Sequence, residues 1–368
     1  MFRVTMLPAG VGDSLWIEYG PEAAPRRILI DGGTSPTYRR HLEHRLRALG
    51  PKASFELLVI THVDTDHIGG VLPMLAAGLP GIEFREVWFN AWRHLEPASL
   101  EEGDILGPVD GEILTQQLVQ LKLRWNRSFR TTDRAARTAL RGRLGTRVLP
   151  GGMRLTLVAP TRTELDILKP KWKAVVEDAG LVPGVASRTL SDKARQKGVV
   201  LDLLGDDPIR DWADYDPRDL DETEANGSSI AMLAEYDEDG VTKRCLLAGD
   251  AHGPVLLDGV RRLAAQLGEE RLRVDAFKLP HHGSVRNVTR DLVKAVDARR
   301  YLFSTDSGGR HGHPHKEAVA RVLLDAAKPT SLRFNYRTSI NELWDNGRWI
   351  DKYDYDVEYG DGTLTVSL

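Results

Sequence analysis

The stretch that decides the fold reads Phe55-Glu56-Leu57-Leu58-Val59-Ile60-Thr61-His62-Val63-Asp64-Thr65-Asp66-His67-Ile68-Gly69-Gly70. Residues 55–61 form an apolar run of the length and continuity expected of a strand buried on both faces. Directly behind it, four metal-capable side chains, His62, Asp64, Asp66 and His67, fall within six residues. A loop at a strand end can turn all four inward around one point, which a regular helix or strand of that spacing cannot do. A polar surface turn would suit the glycines but is a poor account of two histidines interleaved with two aspartates.

Two more strand ends carry the same kind of chemistry. Leu246-Leu247-Ala248-Gly249-Asp250 is an apolar strand closing on a carboxylate, and Lys278-Leu279-Pro280-His281-His282-Gly283-Ser284 sets two adjacent histidines before a small-residue turn. Either is weak alone; three metal-capable strand ends in one chain reinforce one another. A fourth feature runs from Ser304 to His315 and places His311, His313 and His315 on a glycine- and proline-bearing loop. They read either as helix-opening residues before Lys316 or as groups beside the metals, His313 then giving a proton to the leaving group or touching a phosphate.

Around these motifs the chain alternates short apolar runs with turn residues. Strands are expected at residues 3–7, 14–19, 27–30, 86–90, 153–158, 229–235, 243–248, 276–279, 301–304 and 331–335. Helices are expected at 38–49, 68–77, 163–179, 254–267, 289–296 and 316–327. Residues 113–144 read as one or two arginine-rich helices, with Lys122, Arg124, Arg127, Arg130, Arg134, Arg137, Arg141 and Arg143 against Asp133 alone. Residues 202–224 hold ten carboxylates against Arg210 and Arg218, the composition of a solvated, partly mobile segment. A β-rich first half followed by strands alternating with helices argues for a layered α/β sandwich.

Composition narrows the function classes. The 368 residues are 41% hydrophobic and 28% charged with a formal net charge of −3, so no global field draws the chain to nucleic acid or anionic membrane. Any such binding has to come from a local patch. The single cysteine, Cys245, excludes an intramolecular disulfide and sits in an apolar run that predicts a buried thiol. Residues 1–7 are too short and interrupted for a signal peptide, and no apolar run approaches the ~20 residues of a membrane helix. The expected location is cytoplasmic. His41, His44, His94 and His252 read as structural or surface groups, and Trp88, Trp92 and Trp125 as packing rather than a base-stacking platform.

Taken in order, Gly10-Val11-Gly12-Asp13-Ser14, Leu29-Ile30-Asp31-Gly32-Gly33, the cluster at 62–67, Asn226-Gly227-Ser228-Ser229, Ala248-Gly249-Asp250, residues 278–284 and His313-Pro314-His315 resemble the motifs of the metallo-β-lactamase fold. More narrowly, the pattern is similar to the C-terminal hydrolase domain of the bacterial competence (DNA-uptake channel) family, here as a stand-alone soluble relative. The resemblance implies one four-layer αββα sandwich over residues 1–368, with an arginine-rich helical insertion at about 95–147 and a helical, then acidic one at about 161–224. It also implies two divalent ions, zinc or manganese, with magnesium admitted. His62 and Asp64 would bind the first ion; Asp66, His67 and one of the 281–282 pair, His282 by preference, the second; Asp250 would bridge. Asp66, Asp250 and His313 would then carry catalysis. Asp31, Asn226, His281, Ser284, His311 and His315 would support the metals or meet substrate.

Two departures from the commoner superfamily pattern matter: Asp64 stands where histidine is usual, and so does Asn226. Both make the first site richer in oxygen, which suits the harder ions that phosphates use. The leading expectation is a phosphodiesterase or nuclease using a metal-bridging hydroxide, acting on nucleic acid or a nucleotide. Ester, lactone or thioester hydrolysis is one alternative. The other is a partner-binding component with a vestigial site, in which the stretch between Pro160 and Asn226, or Phe334-Asn335-Tyr336 with Trp344 and Trp349, meets a protein. Convergence of Lys278, Arg310 or the arginines of residues 122–147 on the metals would favour phosphate; an apolar pocket there would favour the ester.

Overall fold

The apolar run at 55–61 is two strands rather than one. A computed structural model describes residues 1–51, 53–78, 81–96, 109–178, 208–217, 219–309 and 311–368. In chain order the strands are β1 (Phe2–Met6), β2 (Leu15–Tyr19), β3 (Arg26–Ile30), β4 (Ala53–Phe55), β5 (Leu57–Val59), β6 (Ile82–Phe84), β7 (Val87–Trp88), β8 (Thr146–Val148), β9 (Arg154–Ala159), β10 (Ala231–Glu238), β11 (Val241–Leu247), β12 (Leu272–Lys278), β13 (Val296–Phe303), β14 (Thr330–Phe334), β15 (Tyr355–Tyr359) and β16 (Leu364–Ser367). Buried Glu56 splits the run: its carboxylate takes Arg26 at 2.5 Å and Arg85 at 3.4 Å. β4 then pairs with β6 in a small two-stranded sheet while β5 joins the main one.

The main sheets have six strands in the order β16-β1-β2-β3-β5-β7 and eight in the order β15-β14-β13-β12-β11-β10-β9-β8. They pack face to face through one apolar layer, and helices cover both outer faces. The alternation of side chains along each strand shows this directly. Leu57 and Val59 join Cys245, Leu247, Ala276 and Leu302 between the sheets. Leu58 and Ile60 face the other way, into a cluster with the helices Val71–Ala76, Val109–Gln120 and Arg162–Asp178. Leu246 and Phe277 likewise face the helices Gly253–Leu267, Arg290–Ala295 and Lys316–Asp325. The architecture is therefore the four-layer αββα sandwich expected, and central strands read as unbroken apolar runs because neither face meets water.

Several expectations need correction. The arginine-rich stretch is not helical: the helix ends at Gln120, and residues 121–145 run as turns and short extended pieces, with Lys122, Asn126 and Arg134 in the left-handed region at φ 52°, 50° and 47°. Asn126 explains why. Its side-chain amide bonds both the N–H and the C=O of Phe89, pinning the chain along the edge of β7, which a helix could not reach. Of the acidic stretch, residues 202–207 and 218 lie outside the described residues. The rest is not a solvated tail: the helix Ile209–Asp214 buries Ile209 and Ala213, and Asp221 is buried too. Other expected helices break, as at 38–49, where a wide turn at Tyr38–Leu42 precedes the helix Glu43–Ala48. Strands β15 and β16, unanticipated, complete the far edge of each main sheet. No described helix is long and apolar enough to cross a membrane.

The loops of interest leave one end of the sandwich. β3 and β5 are parallel, as are β11, β12 and β13, so residues 31–33 and 60–67 leave one end of the first sheet, and 248–250, 279–284 and 304–315 one end of the second. Ligands of α/β sheets lie characteristically outside the carboxyl ends of such strands.

The layer between the sheets offers a direct check. Cys245 is completely buried there and burial pushes its thiol pKa up. A thiol reagent should leave it unmodified in native protein and label it stoichiometrically in denaturant. Native labelling should be slowed on the order of 10³-fold or more, because it has to wait for global opening; rapid native labelling would contradict this packing.

Candidate metal centre

Three imidazoles and one carboxylate define the centre. His62 precedes and His67 lies within the short helix Thr65–Ile68 after β5, Asp250 follows β11, and His282 lies in the turn Pro280–Gly283 after β12. All four are buried. The Asp250 Oδ2 atom lies 3.3 Å from His67 Nε2, 3.6 Å from His282 Nε2 and 3.9 Å from His62 Nε2. Asp66 Oδ2 stands 3.7 Å from His282 Nε2 and 3.9 Å from His67 Nε2, and Asp64 Oδ2 stands 3.7 Å from His62 Nε2.

Each ring is held by its other nitrogen. His67 Nδ1 bonds the Asp31 carboxylate at 2.8 Å, and His282 Nδ1–H donates to the Ser304 carbonyl at 2.9 Å. His62 Nδ1 lies 3.0 Å from Thr61 Oγ1 and 3.1 Å from Ser229 Oγ. Thr61 spends its own hydroxyl proton on Asp31, so its oxygen is left to accept from His62. With all three Nδ1 atoms engaged, all three Nε2 lone pairs aim at one place, and none has a hydrogen-bond partner. Asp250 Oδ1 and Asn226 Oδ1 are buried and unpartnered as well.

So many orphaned acceptors around one point cost free energy unless something occupies them. A divalent cation fits. Zinc at ~2.0–2.1 Å from each ligand would place tetrahedral ligands ~3.3 Å or somewhat more apart, close to the separations here. Three groups of ligand atoms meet a metal's spacing: His62, His67 and Asp250; Asp66, His67 and His282; and Asp13, Asp250 and His282. The second group holds the three residues expected at the second site, whereas the first joins His62 to His67 and Asp250 and lacks the expected Asp64. Asp64 is 42% exposed and outside these groups, so it is the most loosely held member of the expected set.

Electrostatics bind the cluster as it stands. Burial alone would favour the neutral carboxyl of Asp250, but His67, His282 and His281 hold it well below the usual carboxylate range. Burial alone would likewise lower the His67 pKa, but Asp250, Asp66 and Asp31 push it well up, so that a proton takes the Nε2 position a cation would claim by displacing it. Asp66, against its own desolvation, is held down to about 2 by His67 and His282.

The remaining expected residues divide. His281 brings Nε2 to 3.9 Å from Asp250 but ties Nδ1 to Asp221 and Asn287, both at 3.1 Å, and belongs to none of the three ligand groups; His282 belongs to two. His313 lies edge-on to His281 at 4.9 Å and parallel to His282 at 6.1 Å between ring centres, beside the centre as expected. Burial and the flanking histidines His281 and His315 push its pKa well down, so it is a neutral imidazole. His311 stacks on the outer side of His313 at 5.8 Å. Ser284 accepts the N–H of Arg286 to close its own turn, and His315 Nδ1 accepts the N–H of Val285 at the head of the helix Lys316–Asp325; both hold the loop in shape.

Three residues have functions the sequence reading missed. Asp13, at the head of β2, meets Lys278 Nζ at 2.9 Å, and both side chains are buried. Lys278 is therefore committed within the protein and is not free to meet substrate. Asp221 is the hub behind the centre, accepting from Asn226 Nδ2 at 2.8 Å and Asn287 Nδ2 at 2.9 Å while bonding His281. Gly12 passes so close to the Asp66 backbone that an added Cβ would sit 1.6 Å from its carbonyl oxygen, which explains the glycine of Gly12-Asp13. Asp13 had a visible signal in that motif; Asp221 had none among ten carboxylates.

No protein-family model matches the chain, and no curated protein does. Among solved structures it is similar to the metallo-β-lactamase SMB-1 (14% identity, covering 75% of this chain and 79% of that one, TM-score 0.30). It is similar to the metallo-β-lactamase MIM-1 from Novosphingobium pentaromativorans (13%, 75% and 76%, TM-score 0.30) and to a long form of RNase Z from yeast (8%, 82% and 37%, TM-score 0.35). Likenesses at this level carry no chemistry across, which leaves the site's own residues to define it.

The Asp13–Lys278 pair yields a measurable consequence. Lys278→Met strands a buried carboxylate and should cost about 3–5 kcal/mol in denaturant unfolding, whereas Asp13→Leu with Lys278→Met should recover most of that loss. A single-variant loss below about 1 kcal/mol, the range of exposed pairs, would contradict the buried coupling.

Proposed function

We propose that this chain is a metal-dependent hydrolase with two divalent ions, and that its substrate is a phosphodiester. The observation that carries the hydrolase reading is the triplet of Nε2 atoms, each pre-oriented through Nδ1 and left without a partner around Asp250. His62, Asp64 and the unpartnered Asn226 Oδ1 would hold one ion, and Asp66, His67 and His282 the other, with Asp250 between. Such a pair of ions, when bound, supplies Lewis acidity and a water acidic enough to serve as nucleophile at neutral pH. Zinc and manganese both suit this mixed set, and its carboxylate share also admits magnesium.

The protein's own contribution is orientation and proton handling. Asp31 fixes His67, Ser304 fixes His282, and Asp221 with Asn287 fixes His281. His313, neutral and stacked between His282 and the outer His311, is placed to give its ring N–H as a hydrogen bond to the leaving oxygen or to a phosphate oxygen. The oxygen-rich donor set supports phosphate as the group acted on.

One observation favours the ester reading. The hollow bordering Asp64, ≈ 390 Å³, is walled by Val63, Leu168, Trp172 and Val175, with Lys171 as its cation and Asp110 and Glu224 as further acids. Lys278 is committed to Asp13, the arginines of residues 122–147 do not line this hollow, and Arg310 lies outside the described residues. An acyl or lactone ring would find apolar walls there, so esters belong in the assay.

The test is a paired assay with zinc- or manganese-loaded protein: bis-p-nitrophenyl phosphate and single-stranded DNA against p-nitrophenyl butyrate and a simple lactone. Phosphodiester turnover abolished by Asp250→Ala supports the proposal; ester turnover alone replaces the substrate class; binding of less than one metal equivalent per chain defeats the hydrolase reading. His313→Ala, which removes that donor, should slow cleavage by about 10–10²-fold where the leaving group is an alkoxide, and less where it is p-nitrophenolate, which gathers less charge on its oxygen.

A further inference from the structure

The arginine-rich stretch forms a second feature, apart from the metals. Segment 124–126 lies along the outer edge of β7: Val87 N–H donates to the Arg124 carbonyl and Asn126 N–H to the Val87 carbonyl. From there the chain doubles back beside residues 89–91, where Asn90 and Ala136 exchange two hydrogen bonds. Between this loop and the helix Trp92–Leu95 opens a groove of ≈ 650 Å³ that runs into a second hollow of ≈ 540 Å³; Arg127, Thr132 and Arg134 line both.

Five cations, Arg93, Lys122, Arg127, Arg130 and Arg134, face this double groove. None of them makes an ion pair among the described residues, although the chain as a whole carries a net charge of −3. The one carboxylate there, Asp133, is already taken by Arg137 at 2.7 Å and Arg162 at 3.5 Å. Arg93 and Arg134 lie near each other on this groove, like charge beside like charge, and both are exposed. The wall that holds them is rigid: Asn126 clamps Phe89 on both sides, Trp125 Nε1 donates to the Phe89 carbonyl, and Ser128 is held by Glu86. Lys122 and Arg134 sit in the left-handed region, a strained backbone that persists where the surroundings enforce it. Unpaired cations presented from a fixed wall along two joined hollows are the complement of an extended anion rather than of a single one.

We propose that this groove is an exosite for a run of phosphates, carried by a polynucleotide backbone or by a free polyphosphate. The proposal deepens the phosphodiesterase reading and rests on it for its purpose: a polymer held along β7 would pass towards the metal loop, because β5 and β7 are parallel neighbours and 61–67 and 89–95 leave the same end of the sheet. Bases would not be read here. The Trp125 ring is already packed against Arg93, His94 and Phe89, so the groove offers charge without a stacking surface.

The experiment is fluorescence anisotropy with a labelled 20-nucleotide single strand and metal-chelated full-length protein over a salt series, with inorganic polyphosphate as a second probe. Arg127→Gln with Arg130→Gln should weaken binding at least tenfold at low salt and flatten the log–log salt slope by about 1.4, two phosphate contacts at ~0.7 each. Arg124→Gln, on the same segment but outside the groove, should change neither, and hydrolysis of bis-p-nitrophenyl phosphate by the metal-loaded double variant should equal wild type. Binding of both probes, or of either alone, supports the exosite and names the source. Cleavage of the small phosphodiester with no binding of either probe overturns the exosite and leaves the metal centre standing. Binding without hydrolysis of any phosphodiester keeps the exosite and defeats the phosphodiesterase reading. Equal weakening by Arg124→Gln would reduce the groove to unspecific surface charge and overturn it.

Discussion

The centre depends on a rule about imidazoles: fixing one nitrogen decides what the other can do. Asp31, Thr61 and the Ser304 carbonyl each take an Nδ1, and the three Nε2 atoms are thereby turned on Asp250 as lone pairs. Asp31 matters most, because one buried carboxylate engages the Thr61 N–H, the Thr61 hydroxyl and His67. Through Thr61 it also settles the proton on His62. The residues that would touch a metal are thus the outer members of a network whose root lies at the end of β3.

Much of this was legible in the sequence because it is local. Residues 62–67 hold four donors in six positions, and a loop after a buried strand is the one backbone that can gather them. The strand-end carboxylate at 250 and the histidine pair at 281–282 followed the same logic; the order of strands and helices pointed to a layered α/β sandwich and the family resemblance to its four layers, in which residues 57–60 and 245–248 bury alternate side chains on two faces. What stayed hidden is what depends on contacts between distant segments. Asp221 is one acid among ten by composition; only folding brings it to Asn226, His281 and Asn287. The non-helical course of 121–145 turns on Asn126 meeting Phe89, 37 positions away, which helical periodicity does not report. Lys278 looked available for substrate until its partner, 265 positions earlier, was seen.

The metal loop and the basic groove divide the chemistry between two neighbouring strands. β5 delivers acids and imidazoles converging on one buried point; β7 and its edge deliver guanidinium groups spread along a solvent-facing channel. The first arrangement concentrates charge where desolvation makes interactions strong, and the second spreads it where salt screens it. Metal affinity should therefore be insensitive to ionic strength while any polyanion affinity is steeply dependent on it.

The pair between Asp13 and Lys278 has a mechanical meaning besides its energy. The layer between the sheets is apolar, and apolar contact is nondirectional: one sheet sliding over the other by a fraction of a residue would lose little area. The ion pair joins the head of β2 in one sheet to the end of β12 in the other, in a setting where neither charge has water to turn to. It acts as a detent, steep in displacement where the surrounding grease is shallow. At the end that carries the histidines the two sheets are thus held in register, so ligands contributed by two separate sheets keep their spacing.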